Sequence, residues 1–119
     1  MTLSVYISVV DIINPPTDAG IKEGQNITLS CTASSNGNLT IHWMFGDELV
    51  SDNDTRVIIT TNSTSSTLTI VNAQISDQGL YTCNATSLET GMSEVSTPGR
   101  VSLNCKLRRI IVLLYLMLV

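Results

Sequence analysis

Cys31 and Cys83 flank the chain's single tryptophan, Trp43, and the second cysteine closes the run Asp77-Gln78-Gly79-Leu80-Tyr81-Thr82-Cys83. No other feature limits the fold of this chain so tightly. Around both cysteines apolar residues recur at every second position: Ile27, Leu29, Cys31 and Ala33 in one segment, Tyr81, Cys83 and Ala85 in the other. A period of two is the pattern of a strand with one buried and one wet face. Ile41, Trp43 and Phe45 repeat it, with His42 and Met44 on the opposite face, and Leu68 with Ile70 and Val101 with Leu103 extend it. Turn residues punctuate the segments at Glu23-Gly24-Gln25, Asn36-Gly37-Asn38, Gly46-Asp47 and the polar stretch Ser51 to Thr55. A short Leu49-Val50 strand and another starting Arg56-Val57-Ile58-Ile59 complete the set, and Pro98-Gly99 predicts a kink in the last strand.

Composition agrees with short strands. Ser and Thr number 29 of 119 residues while aromatics are 4%, which disfavours helices and favours strands and turns. The length allows one domain with a real core. Residues 1–104 carry all ten acids against Lys22, Arg56 and Arg100, a net charge of −7; the last fifteen residues add Lys106, Arg108 and Arg109. So acidic a surface repels phosphate backbones, and nucleic acid is excluded as a partner.

In this order and in strand phase, these residues resemble the immunoglobulin superfamily over residues 14–104. The resemblance implies an all-β fold: an immunoglobulin-like β-sandwich of two antiparallel sheets with Greek-key connections. It implies a disulfide between Cys31 and Cys83 packed on Trp43, with a tyrosine corner at Tyr81 and Leu29, Leu68 and Ile70 in the core. In the family an Arg at the start of strand D pairs with the Asp of the E–F corner, and Arg56 and Asp77 match those positions. The interval between the cysteines leaves no room for a C″ strand, so the intermediate set is favoured, with the C2 set second. Closing a loop of roughly 50 residues stabilises by about 4 kcal/mol in the chain-entropy picture. That share of a domain's net stability places the chain in an oxidising compartment.

Asn-x-Ser/Thr occurs five times, at Asn26, Asn38, Asn53, Asn62 and Asn84, where nine asparagines among these hydroxyl residues supply about two by chance. These are expected glycosylation sites of an exported protein. Cys105 is the third cysteine: a free thiol, a partner in an interchain bond, or a consequence of where the chain ends. Residues 1–13 read as strand A or as the remnant of a preceding segment. Their apolar run lacks the basic start and small-residue cleavage site of a signal peptide. Residues 105–119 form a basic then apolar tail outside the sandwich. Its ten apolar residues, Ile110 to Val119, would make a helix of about 15 Å, half the roughly 30 Å hydrocarbon core. A truncated end, a membrane-associating or GPI-signal tail, and a buried or paired extension all remain open for it.

Catalytic and cofactor motifs are lacking. His42, the sole histidine, has no sequence-local carboxylate, so the chain is not expected to be an enzyme and no cofactor is expected. Asp52-Asn53-Asp54 lacks the glycine and distal glutamate of a calcium loop, and no metal is expected. The resemblance implies an extracellular binding module of a cell-surface adhesion molecule or receptor, whose partners are other proteins, a second copy included. A secreted ligand-binding or immune-type protein and an intracellular structural domain are the alternatives.

Overall fold

The computed structural model describes residues 10–104. Ten strands build two packed sheets: β1 (Asp11–Asn14), β2 (Ala19–Lys22), β3 (Ile27–Ser34), β4 (Leu39–Phe45), β5 (Glu48–Leu49), β6 (Val57–Thr61), β7 (Ser65–Ile70), β8 (Gly79–Ser87), β9 (Ser93–Val95) and β10 (Gly99–Asn104). One sheet runs in the order β1-β3-β7-β6 and the other β2-β10-β8-β4-β5, with β9 also on β8. A single 3₁₀ turn at Ile75–Asp77 joins β7 to β8. Alternation along β3 and β8 sets the faces. Ile27, Leu29, Cys31 and Ala33 of one sheet and Tyr81, Cys83 and Ala85 of the other are all but fully buried, as is Trp43 of β4, which lies beside Cys83 in register. Leu68 and Ile70 of β7 and Val101 and Leu103 of β10 close the core.

The second sheet is mixed, which corrects the expectation of two wholly antiparallel sheets: β2 runs parallel to β10, from Ala19 beside Val101 to Lys22 beside Asn104. Its cause is local. Pro15 and Pro16 cannot continue a ladder because they lack the N–H and fix φ. After β1 the chain therefore leaves β3, crosses to the opposite sheet and runs along β10. Gly99 is where this crossing presses closest, since a Cβ there would lie 2.9 Å from the Thr17 carbonyl oxygen. Asp18 fastens the crossing by accepting from the Arg100 N–H at 2.9 Å.

The kink expected at Pro98-Gly99 is a full interruption. β9 and β10 both pair with β8, but their registers differ by one residue, the signature of a bulge. Buried Ser96 fills that gap: its hydroxyl accepts from the Cys83 N–H at 2.9 Å and its own N–H donates to the Cys83 carbonyl at 2.8 Å. The short strand expected at Leu49-Val50 is Glu48–Leu49, paired with Met44 and Phe45 after a turn in which Gly46 takes a φ of +58°. β1 carries residues 11–13 into the first sheet, whereas the run Leu3 to Val9, Cys105 and the tail to Val119 lie outside the described residues.

Candidate functional site

Cys31 of β3 and Cys83 of β8 form the disulfide, with Cα atoms 6.4 Å apart, and it is the covalent tie between the two sheets. Trp43, fully buried against it, carries an indole N–H that needs an acceptor in the dry interior. Ser66 of β7 supplies one at 2.8 Å, and its hydroxyl is shared with Thr61 Oγ1 of β6 at 2.9 Å. This three-residue chain connects the centre of one sheet to the edge of the other. Ser66 is in phase with the inward Leu68 and Ile70, but as one hydroxyl in the run Ser63 to Thr67 it carries no apolar signal that marks it as a core residue.

A second polar centre closes the end of the sandwich. Arg56 grips Asp77 with two bonds, at 3.0 and 3.2 Å, and also donates to the Asn72 carbonyl at 3.1 Å. Asp77 accepts as well from the Gln74 N–H at 2.8 Å. Burial alone would push its carboxyl up; the bonds from Arg56 and Gln74 outweigh that and hold it below the ordinary value. The same carboxylate raises the Arg56 pKa. Tyr81 donates its hydroxyl to the Asp77 carbonyl at 2.7 Å, and its pKa is pushed up to about 12, first by burial and then by the Asp77 charge. Its ring stacks on Phe45 at 4.7 Å. Gly79 is required beneath this stack: its φ is +150°, and a Cβ would sit 2.6 Å from Phe45 Cε2. These groups hold this end of the fold together.

Among the described residues the surfaces open to contact include the two outer sheet faces, the loop tips and an open cleft. On the β8–β4 face, ladder rows bring Leu49, Met44 and Thr82 into one line and His42, Asn84 and Val95 into the next. Leu49 and Val95 are among the most exposed large apolar side chains, at 61% and 57%. On the opposite face the outward positions of β3, β7 and β6 are mostly hydroxyl residues, Ser30, Thr67 and Thr60 in one row and Thr28 and Thr69 in the next, where Ile58 of β6 is the apolar exception. The cleft, about 560 Å³, is lined by Glu23, Asn72, Gln74, Ile75 and Ser76 and opens broadly to solvent.

The five sequon asparagines all reach the surface to differing degrees. Asn26, Asn38, Asn53 and Asn62 are exposed, and Asn84 is half-buried at mid-strand with its Oδ1 shielded and unpaired. Asn62 is held by its own turn, its Oδ1 accepting from the Thr64 and Ser65 N–H groups at 2.9 and 2.8 Å. Asp52 and Asp54 are exposed, and Asp54 Oδ1 caps the Arg56 N–H at 3.0 Å. Among the described residues no three His, Cys, Asp or Glu side chains cluster as metal ligands, and no helix is long and apolar enough to cross a membrane.

A two-sheet sandwich bridged by one disulfide over a buried tryptophan, with a tyrosine corner, defines the class of protein. The family profile of the immunoglobulin domain matches residues 11–87, and the chain belongs to that family. It is 31% identical over 83 residues to basigin of Cricetulus griseus, covering 63% of this chain and 33% of that protein. It is 30% identical over 97 residues to protein sidekick-2 of Mus musculus, covering 78% of this chain and 4% of that protein. A V-set and immunoglobulin domain-containing protein of Danio rerio is 40% identical over 62 residues, 51% of this chain and 12% of that protein. The chain thus spans a third or less of the length of these relatives. Titin domain M4 superposes with a TM-score of 0.71 at 16% identity, covering 80% of this chain and 95% of the domain, a likeness of fold alone.

Proposed function

We propose that this chain is an extracellular immunoglobulin-like binding module of a cell-surface adhesion molecule or receptor, acting through protein–protein contact and not through catalysis. The observation that carries this reading is the disulfide between the sheets, which persists only where thiols are oxidised. Four exposed sequons in the same domain support it, since glycans are added along the same export route. Relatives that belong to longer proteins support a module working beside other domains. The strand order, with β6 beside β7 and a two-residue β5, supports the intermediate set.

A glycan on Asn84 constrains where contact occurs. Rooted between His42 and Val95, it stands in the middle of the β8–β4 face and steers partners to the loop tips or the opposite sheet. The test is to coat beads with the glycosylated chain and apply them to intact cells. Saturable binding that is lost when surface proteins are shaved with protease is the expected result. Binding only after permeabilisation would contradict the extracellular reading.

A further inference from the structure

β6 is the outermost strand of its sheet, and among the described residues no strand pairs with its far side. The Arg56 carbonyl accepts from the Val71 N–H, and the Asn62 N–H donates to the Ser65 carbonyl. In an antiparallel ladder the paired groups alternate, so Arg56, Ile58, Thr60 and Asn62 bond inward to β7. Val57, Ile59 and Thr61 direct their backbone groups away from the sheet. Of these, only the Val57 N–H has a partner among the described residues, the Asp54 carbonyl at 3.0 Å. Edge strands are ordinarily blunted by lysine, proline, a bulge or extreme shortness. β6 has none of these: Val-Ile-Ile-Thr-Thr is five β-branched residues in unbroken register, uncharged, with Ile58 52% exposed.

The geometry points to this edge as a pairing site for a second copy of the chain, held closed by N-glycans on Asn53 and Asn62. The strand is self-complementary. Antiparallel addition about a two-fold axis at Ile59 places Ile59 opposite its own copy and Val57 opposite Thr61. That arrangement forms four backbone hydrogen bonds: two between the Ile59 residues, and two from the Thr61 N–H groups to the Val57 carbonyls. Ile58 of each copy lies beside Thr60 of the other on the outer face. Charge favours this edge over other surfaces of an acidic chain. β6 carries none, and Arg56 at its start is already neutralised by Asp77, so the two copies meet without like-charge opposition.

Sequons stand at both ends of the strand. Asn62 follows its last residue and Asn53 lies in the loop leading into it, both exposed. Asn62 commits its Oδ1 to its own turn, which leaves Nδ2 for a glycan. In the paired arrangement Asn62 falls opposite Arg56 of the second copy, three residues from that copy's Asn53. A sugar chain at either end therefore occupies space that the added strand needs. The gate rests on the export reading; the pairing does not.

The test is sedimentation of four secreted full-length proteins in one mild detergent, with glycopeptide mass spectrometry on the same samples. Wild type occupied at Asn53 and Asn62 is expected to be monomeric, and Asn53→Gln/Asn62→Gln to shift to dimer in the micromolar range. Ile58→Lys added to that pair places a cation on the open edge without touching the core, and is expected to restore the monomer. Asn26→Gln/Asn38→Gln is expected to stay monomeric. A double variant that sediments like occupied wild type overturns the pairing edge, as does a dimer that survives Ile58→Lys. Bare sites on a monomeric wild type, or equal association in the Asn26/Asn38 control, overturn the glycan gate.

Discussion

Replacing Ser66 with alanine removes one oxygen atom from the core and should cost more than that atom's size suggests. Its hydroxyl is the acceptor for Trp43 Nε1 at 2.8 Å, and both residues are essentially without solvent contact. No water can take its place unless the sandwich opens. The cost is therefore that of an orphaned buried donor, about 1–3 kcal/mol, in place of the roughly 1 kcal/mol net worth of an average hydrogen bond. Thr61, the other partner of Ser66, is exposed and can turn to solvent, so Thr61→Val should cost only a few tenths of a kcal/mol beyond its own packing change. Urea unfolding followed by fluorescence measures both, because Trp43 is the only tryptophan and lies at the site itself. With a slope of about 2 kcal/mol per molar, a loss of about 2 kcal/mol lowers the midpoint by about 1 M. A Ser66→Ala midpoint within about 0.2 M of wild type at unchanged slope, or a Thr61→Val loss as large as that of Ser66→Ala, would refute the reasoning.

Further outcomes follow from the same geometry. Because bonds from Arg56 and Gln74 hold the Asp77 carboxyl below its ordinary 3.8, its contribution is fully present above about pH 4 and is lost as pH falls through the lower folded value; Asp77→Asn should remove that acid limb from stability-versus-pH curves, and an unchanged limb would contradict it. Tyr81, raised to about 12, contributes stability that is complete below pH 10 and lost as pH rises toward 12. Tyr81→Phe should flatten the alkaline limb and cost about 1 kcal/mol at neutral pH, as read by urea unfolding. Gly79→Ala combines a left-handed φ with a clash against Phe45 and should lower the melting temperature by more than any surface substitution on β8, such as Thr82→Ala. Asn84→Gln in otherwise glycosylated protein should raise association through the β8–β4 face; no change despite confirmed occupancy in wild type would remove that role for the glycan.

Much of the interior was legible because period-two alternation is strongest where a strand is central and covered by one partner sheet. β3 and β8 are such strands, and each of their inward positions is buried as expected. Legibility fails where burial depends on a neighbour that sequence spacing does not locate. Ala19 and Ile21 of β2 offer only two apolar positions, too few to reveal a parallel partner some 80 residues away at β10. Ser66 and Ser96 are polar residues buried for the sake of a particular donor, Trp43 Nε1 and the Cys83 N–H, and composition-based reasoning assigns both to the surface. Asn84 shows the same limit in reverse. Its phase on β8 is outward, yet neighbouring strands on both sides shield its Oδ1. Arg56 and Asp77 came from the family pattern; the extra bonds from Arg56 to the Asn72 carbonyl and from the Gln74 N–H to Asp77, the second of which helps hold the carboxyl low, came only with the fold.

The direct test of an exported, bridged binding module is peptide mass spectrometry of native protein alkylated before digestion. A Cys31–Cys83 linked peptide and glycan on at least two of the five sequon asparagines are the expected result. Both thiols alkylated, together with bare asparagine at all five positions, would contradict it.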